Sequence, residues 1–193
     1  MKVVEAEIEV LTVDQLVDLL EKADQAIRPA FAIGAFAGIR DSAIKKLQWS
    51  DIDLETGTIH VRGVNAKSAK SRHVEVSENL RKWIELMIKK SGPVWPKNGR
   101  ALHDQAKLKA GFSNPETLSE KQKEERSDWQ RWPKNGLRHS YASYHLAFHK
   151  DAANLALNMG HQDTSLIFKH YRALVTQEAA TLYWEIIPKP KSP

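Results

Sequence analysis

The stretch Pro29-Ala-Phe-Ala-Ile-Gly-Ala-Phe-Ala-Gly-Ile-Arg40 is apolar on almost every side until its last residue. Pro29 suits the opening of a helix, because its φ is already helical and its missing N–H would lack a partner there anyway. A helix that is apolar all round belongs inside a protein, since it has no face to give to water. Arg40, at the end of that buried segment, therefore needs a partner or a function. Ile44 and Leu47 continue a short amphipathic helix as far as Trp49.

Toward the N-terminus, Thr12 and Gln15 form a capping box, and Leu16, Leu19 and Leu20 make one apolar stripe behind it. Toward the C-terminus the period changes. Residues 51–54, 58–62 and 72–76 alternate and contain β-branched side chains, with Glu55-Thr-Gly57 as a turn. This pattern predicts three antiparallel strands, with a second loop over 63–71. Ser77 caps a further helix bearing Leu80, Trp83, Ile84 and Met87 on one face, and Ser91-Gly-Pro93 stops it. Residues 101–110 read as helical, whereas 111–133 are polar and fit no period. Helices follow at about 137–149, 151–159, 163–171 and 176–187, and Gly160 is placed to end the second of these. With no repeat and no splitting linker, the expectation is one domain over 1–193, its core at about 10–187. It is mainly α, with a small three-stranded antiparallel sheet.

The chain has 193 residues, 29 Lys plus Arg, 24 Asp plus Glu and no Cys, for a formal charge of +5. That length can bury a proper core. The missing cysteines exclude disulfides, thiolate metal sites and a thiol nucleophile. No apolar run reaches a membrane span and no signal-peptide pattern opens the chain, so no membrane partner and a cytoplasmic, nucleoid-associated location are expected. Charge is segregated. Residues 1–25 hold seven acids against two bases, and the remainder carries the surplus. Stretch 61–73 contains Arg62, Lys67, Lys70 and Arg72 without an acid, and a second basic run from Lys121 to Arg138 encloses Trp129 and Trp132. Basic residues interleaved with aromatics suit a phosphate backbone; a solvated charged face is the alternative.

Several chemistries are absent. There is no GxGxxG fingerprint, no P-loop and no GxSxG elbow. His145 and His149 have helical metal-ligand spacing but no intervening Glu base, which favours an ordinary packed pair and predicts no metal or other cofactor. What stands out is a set of polar residues at element ends: Arg40, Lys67, Arg138, His161 and Tyr171. Arginines can clamp phosphate oxygens, a lysine can protonate a leaving alkoxide, and tyrosine can be a covalent nucleophile. That set suits metal-free phosphoryl transfer.

On these motifs the sequence resembles the catalytic domain of the tyrosine recombinases, the phage integrase family. The resemblance rests on Phe36-Ala-Gly-Ile-Arg40 with Leu47-Gln-Trp-Ser-Asp-Ile-Asp53, on Leu137-Arg-His-Ser-Tyr-Ala-Ser143, and on Met159-Gly-His161 followed by His170-Tyr171-Arg172. It implies the family's catalytic-domain fold and site-specific DNA cleavage and rejoining through a 3′-phosphotyrosyl intermediate. By resemblance, Arg40 and Arg138 are the two box arginines, Lys67 the hairpin lysine with Lys70 as its competitor, His161 the Gly-His histidine and Tyr171 the nucleophile. Tyr144 and Tyr183 lack that context. Arg62, Arg72, Arg131 and Lys134 are expected to contact DNA. Double-stranded DNA is the implied partner. A monomer in its absence would become a homo-oligomer on it, either through the C-terminal helix 176–187 or with that helix packed in cis. The family's N-terminal core-binding domain has no counterpart in this sequence.

Three positions depart from the family pattern. Ala43 stands where an acid is usual, Asn135 where the second box has His, and Tyr171 lies ten residues after His161. Asn cannot take a proton near neutral pH. His139 can substitute only where its ring faces the site, a structural hydrogen bond being the other reading. These departures motivate an alternative, a DNA-binding module of the same fold with impaired catalysis.

Overall fold

The computed structural model describes residues 8–63, 71–161, 163–171 and 174–189. Helix α1 (Val13–Lys22) starts with the expected box, Gln15 N donating to Thr12 Oγ1 at 3.2 Å and Thr12 N to Gln15 Oε1 at 2.8 Å. Its leucine stripe is fully buried. Helix α2 (Arg28–Ala37) is buried from Pro29 to Ala37, as an all-round apolar sequence demands. It is the hub of the domain. It packs on α1, on α4 (Glu78–Ile84) and on α7 (Gly136–His149). Each Phe or Ile it buries contributes about 1.5–3 kcal/mol of transfer free energy.

Short helix α3 (Asp41–Ile44) leads into the sheet of β1 (Ile52–Asp53), β2 (Thr58–Val61) and β3 (Arg72–Glu75). The order is β1-β2-β3, antiparallel throughout, with Ile52 opposite Ile59 and Ile59 opposite Val74. Those three apolar residues and Val61 form the inward face. Lys67 and Lys70 lie outside the described residues.

Two local expectations are corrected. Ser77 occupies the N-cap of α4, but its hydroxyl donates to Asn79 Oδ1 at 2.6 Å instead of accepting a helix N–H. The helix also ends at Ile84, so Met87 lies beyond it and shares no helical face with Leu80. After α5 (Gly99–Lys109), the unassigned region 111–133 holds α6 (Glu120–Glu125), opened by a Ser119–Gln122 capping box. Its ends are pinned together, Gln130 N donating to Gly111 O at 3.0 Å and Ser113 N to Gln130 O at 2.9 Å.

Helices α7, α8 (Ala152–Met159) and α9 (Ser165–Tyr171) form a second, smaller core of Tyr141, Ala142, Leu155, Met159, Ile167 and Tyr171. Helix α10 (Gln177–Trp184) is shorter than the expected 176–187 and packs in cis on α7 and α1. Two further tyrosines are consumed by the main core. Tyr144 donates to Leu11 O at 3.0 Å, Tyr183 donates to Ala35 O, and their rings stack at 4.2 Å. Among the described residues no helix is long and apolar enough to cross a membrane.

Candidate active site

The site is assembled where the ends of α2, α7, α8 and α9 meet. Gly38 terminates α2 at φ 60°, a conformation that strains any residue with a Cβ. A Cβ at this position would also lie 2.3 Å from the Tyr141 ring. The turn presents the Gly38 carbonyl to Arg138 and sends the chain on to Arg40, the half-buried residue that opens α3. Among the described residues, no hydrogen-bond or ion-pair partner meets the Arg40 guanidinium. Ala43, where the family has an acid, is buried in the main core.

Arg138 lies in the first turn of α7 and is only 6% exposed. Its Nη1 donates to Gly38 O at 2.6 Å and its Nη2 to Met159 O at 2.7 Å, and Nη2 also lies 3.2 Å from His161 Nε2. Burial above all, then the charges of Arg40 and Arg72, push its pKa down to about 9. It remains charged at neutral pH, so the repulsion is carried by the folded state.

His161 is set by the end of α8. Gly160 takes φ 67°, its N–H donates to Leu157 O at 3.0 Å, and His161 N donates to Ala156 O at 2.8 Å. This pair of bonds is a Schellman motif, which fixes the backbone of the residue after the glycine. Burial, then Arg138, Arg40 and Arg72, hold His161 down at about 4. It is therefore neutral at pH 7. Arginine can only donate, so Nε2 accepts and the ring proton sits on Nδ1, a buried atom with no partner among the described residues.

Tyr171 ends α9 and is 5% exposed. Its hydroxyl lies 2.9 Å from His139 Nδ1, one residue after Arg138. Burial raises the phenol pKa, against the opposing pull of Arg138 and Arg40. His139 is half-buried and held below the ordinary imidazole value by burial first, then by Arg138 and His170. Asn135, by contrast, is exposed at φ 54° and caps α7 through its main chain, its carbonyl accepting from His139 N. Asn tolerates the left-handed region better than most residues, which explains its fit there.

The structure thus gathers Arg40, Arg138, His161, Tyr171 and His139, and adds Arg72, whose Nε donates to Asn158 O at 2.9 Å. Sequence reasoning placed Arg72 only among general DNA contacts. Its signal was membership of the acid-free basic stretch. Arg62 and Arg131 are not brought to this cluster. Arg62 pairs with buried Asp51 at 2.6 Å and Arg131 with Glu116 at 2.7 Å. Lys134 is exposed. His145 is pushed down to about 4 by burial, then by His149, and among the described residues no three His, Asp or Glu side chains gather to hold a metal.

The phage integrase family model matches residues 9–178. Tyrosine recombinase XerC of Pseudomonas putida (strain W619) is 28% identical over 178 residues, covering 90% of this chain and 56% of that protein. Tyrosine recombinase XerC of Pseudomonas savastanoi pv. phaseolicola (strain 1448A / Race 6) is 29% identical over the same length and shares. The chain therefore spans about half the length of these curated relatives. Among solved structures, XerA recombinase aligns with a TM-score of 0.62 and 21% identity, covering 98% of this chain and 67% of that one. The catalytic domain of bacteriophage HP1 integrase gives 0.57 and 22%, covering 85% and 87%. The Tn1549 transposon integrase in complex with a circular intermediate DNA gives 0.63 and 18%, covering 96% and 68%. These likenesses fix the fold as that of tyrosine-recombinase catalytic domains.

Proposed function

Because the chain belongs to the phage integrase family, we propose that it cleaves and rejoins DNA at specific sites through a 3′-phosphotyrosyl intermediate. One observation carries this reading. The charge of Arg40 lowers the pKa of both Arg72 and Arg138, and Arg72 that of Arg138, yet no carboxylate pairs with any of the three among the described residues. Such a cluster is relieved by a bound anion, and a phosphodiester is the anion that a neighbouring tyrosine can attack.

In this mechanism Tyr171 Oη forms a bond to the scissile phosphorus while the bond to the 5′-oxygen breaks. His139 takes the phenolic proton and Lys67 supplies one to the leaving 5′-oxygen, so charge and protons balance. Arg40 and Arg138 stabilise the non-bridging oxygens, and His161 donates its single ring proton to one of them, from Nε2 once the tautomer moves that proton off Nδ1. A 5′-hydroxyl from the exchanging strand reverses the step without an external energy source. Assembly of several copies on duplex DNA, with α10 and its exposed Leu182 as the contact, belongs to this proposal.

Incubation with a randomised pool of nicked duplexes is expected to give a protease-sensitive adduct on the 3′ end, mapped by mass spectrometry to Tyr171. Duplex binding without any adduct would favour the impaired-module alternative that Ala43 and Asn135 motivate.

The 2.9 Å contact supports His139 as the proton acceptor in place of residue 135. A base works only when unprotonated, and this imidazole is held below its ordinary value. Adduct formation should therefore be flat at neutral pH and fall only as pH drops below the usual histidine range. His139→Gln should flatten that acid limb and slow the reaction by roughly 10²-fold or more. An unchanged rate and profile would return His139 to a structural role.

A further inference from the structure

We propose that Arg72 is the third guanidinium of the phosphate pocket and the residue that locks the Gly160-His161 turn in place. This rests on the strand-transfer reading above. The geometry begins with two consecutive carbonyls in the last turn of α8. Arg72 Nε donates to Asn158 O at 2.9 Å, and Arg138 Nη2 donates to Met159 O at 2.7 Å. Two arginines from elements far apart in sequence thus grip adjacent peptide units. The next residues are Gly160 and His161. The guanidinium lies directly over Gly160, where a Cβ would sit 3.2 Å from Nη1 and 3.3 Å from Cδ.

Two simpler roles leave part of this unexplained. A general contact to the DNA backbone would use an exposed, solvated arginine. Arg72 is half-buried and bonded to main chain 86 residues away. A plain helix C-terminal cap fits the Nε bond and the polarity of the helix end. It does not explain a second guanidinium beside Arg138, nor the terminal amino groups of Arg72, which have no partner among the described residues. Burial first, and then Arg40, lower the Arg72 pKa, so the residue is held there against both desolvation and like charge. An anion shared with Arg40 and Arg138 removes that conflict and uses the free amino groups. Arg72 also begins β3 directly after the segment that carries Lys67, and β3 packs on α8. The same side chain therefore ties the start of β3 to the turn bearing His161.

The test uses Arg72→Gln and Arg72→Lys with two readouts. The first is the rise in melting temperature on adding sulfate, which reports anion binding without DNA. The second is the adduct rate at saturating nicked duplex. Arg72→Gln is expected to lose most of the sulfate response. It should slow the adduct by on the order of 10²-fold with DNA affinity changed by less than roughly threefold. Arg72→Lys, which keeps the charge but not the fork, should fall between. A purely structural Arg72 would lower the melting temperature while leaving the sulfate increment intact, and that result overturns the proposal. So does a wild-type rate in Arg72→Gln. Should Arg72→Gln fail to fold, Arg72→Lys carries the same decision. If the wild-type protein forms no adduct at all, strand transfer fails, while the sulfate response still decides whether Arg72 belongs to an anion site.

Discussion

Tyr171→Phe is expected to abolish the covalent DNA adduct while leaving fold and duplex affinity close to those of the wild-type protein. Among the described residues the phenol hydroxyl has one hydrogen bond, with His139, and losing it costs about 0.5–1.5 kcal/mol, partly offset because a buried hydroxyl no longer needs a partner. The ring keeps its place in the small core with Tyr141, Leu155 and Ile167. No other tyrosine is placed to take over the proposed chemistry. The chain has four tyrosines and no cysteine. Tyr144 and Tyr183 are buried with their hydroxyls committed to main-chain carbonyls, and the Tyr141 hydroxyl accepts from Asn158 Nδ2 inside the same core. Burial drives the Tyr141 pKa above that of an ordinary phenol, away from nucleophilicity. A denaturing gel of the trapped complex, with thermal melts of both proteins, checks the prediction. An adduct that persists in the Phe variant would remove Tyr171 from its role. The non-catalytic alternative expects the two proteins to behave alike because neither reacts.

What the sequence made legible and what it hid have a common physical origin. The capping box of α1, the buried α2 and the glycine after α8 are local devices. Residues within a few positions decide them, so they can be read in one dimension. Helix α6 shows the opposite case. Its six residues have no apolar face. It is held by its own capping box and by the Trp129 indole donating to Gln122 O, so no hydrophobic period announces it. Ser77 misleads for a related reason, because a neighbouring Asn carbonyl oxygen takes its hydroxyl as a donor, where a cap would have it accept from a helix N–H.

The same division runs through the site. Arg40, Arg138, His161 and Tyr171 were legible because motif context names them. The contacts that give them their states were not. Arg72 to Asn158 spans 86 residues and His139 to Tyr171 spans 32, and no spacing rule encodes either. Ala43 and Asn135, which looked like losses, have structural accounts. Asn135 fits a left-handed cap, with His139 facing the phenol instead. Ala43 is packed in the main core, and without an acid there Arg40 keeps its whole positive charge for an anion. The departure therefore fits the phosphate site proposed above.

Arg138→Met should also separate stability from function. Two carbonyls lose their donors, at roughly 1–3 kcal/mol each for a buried unsatisfied group. Against this, a buried charge disappears whose depression to about 9 corresponds to on the order of 5 kcal/mol of unfavourable environment. The two effects are of similar size and opposite sign, and the methionine stem fills most of the vacated volume. Chemical denaturation should accordingly find the variant within about 2 kcal/mol of wild type. Relief of repulsion should also let the His161 pKa climb from about 4 toward its ordinary value, which an NMR titration of the ring can follow. Catalysis has no such compensation. The planar fork that holds Gly38 O and Met159 O, and in the proposed mechanism a phosphate oxygen as well, has no substitute, and adduct formation should fall by roughly 10³-fold or more. The sulfate-induced rise in melting temperature should shrink with it. A variant that stays active, or one that unfolds outright, would mean that Arg138 holds the helix ends together and does little for an anion.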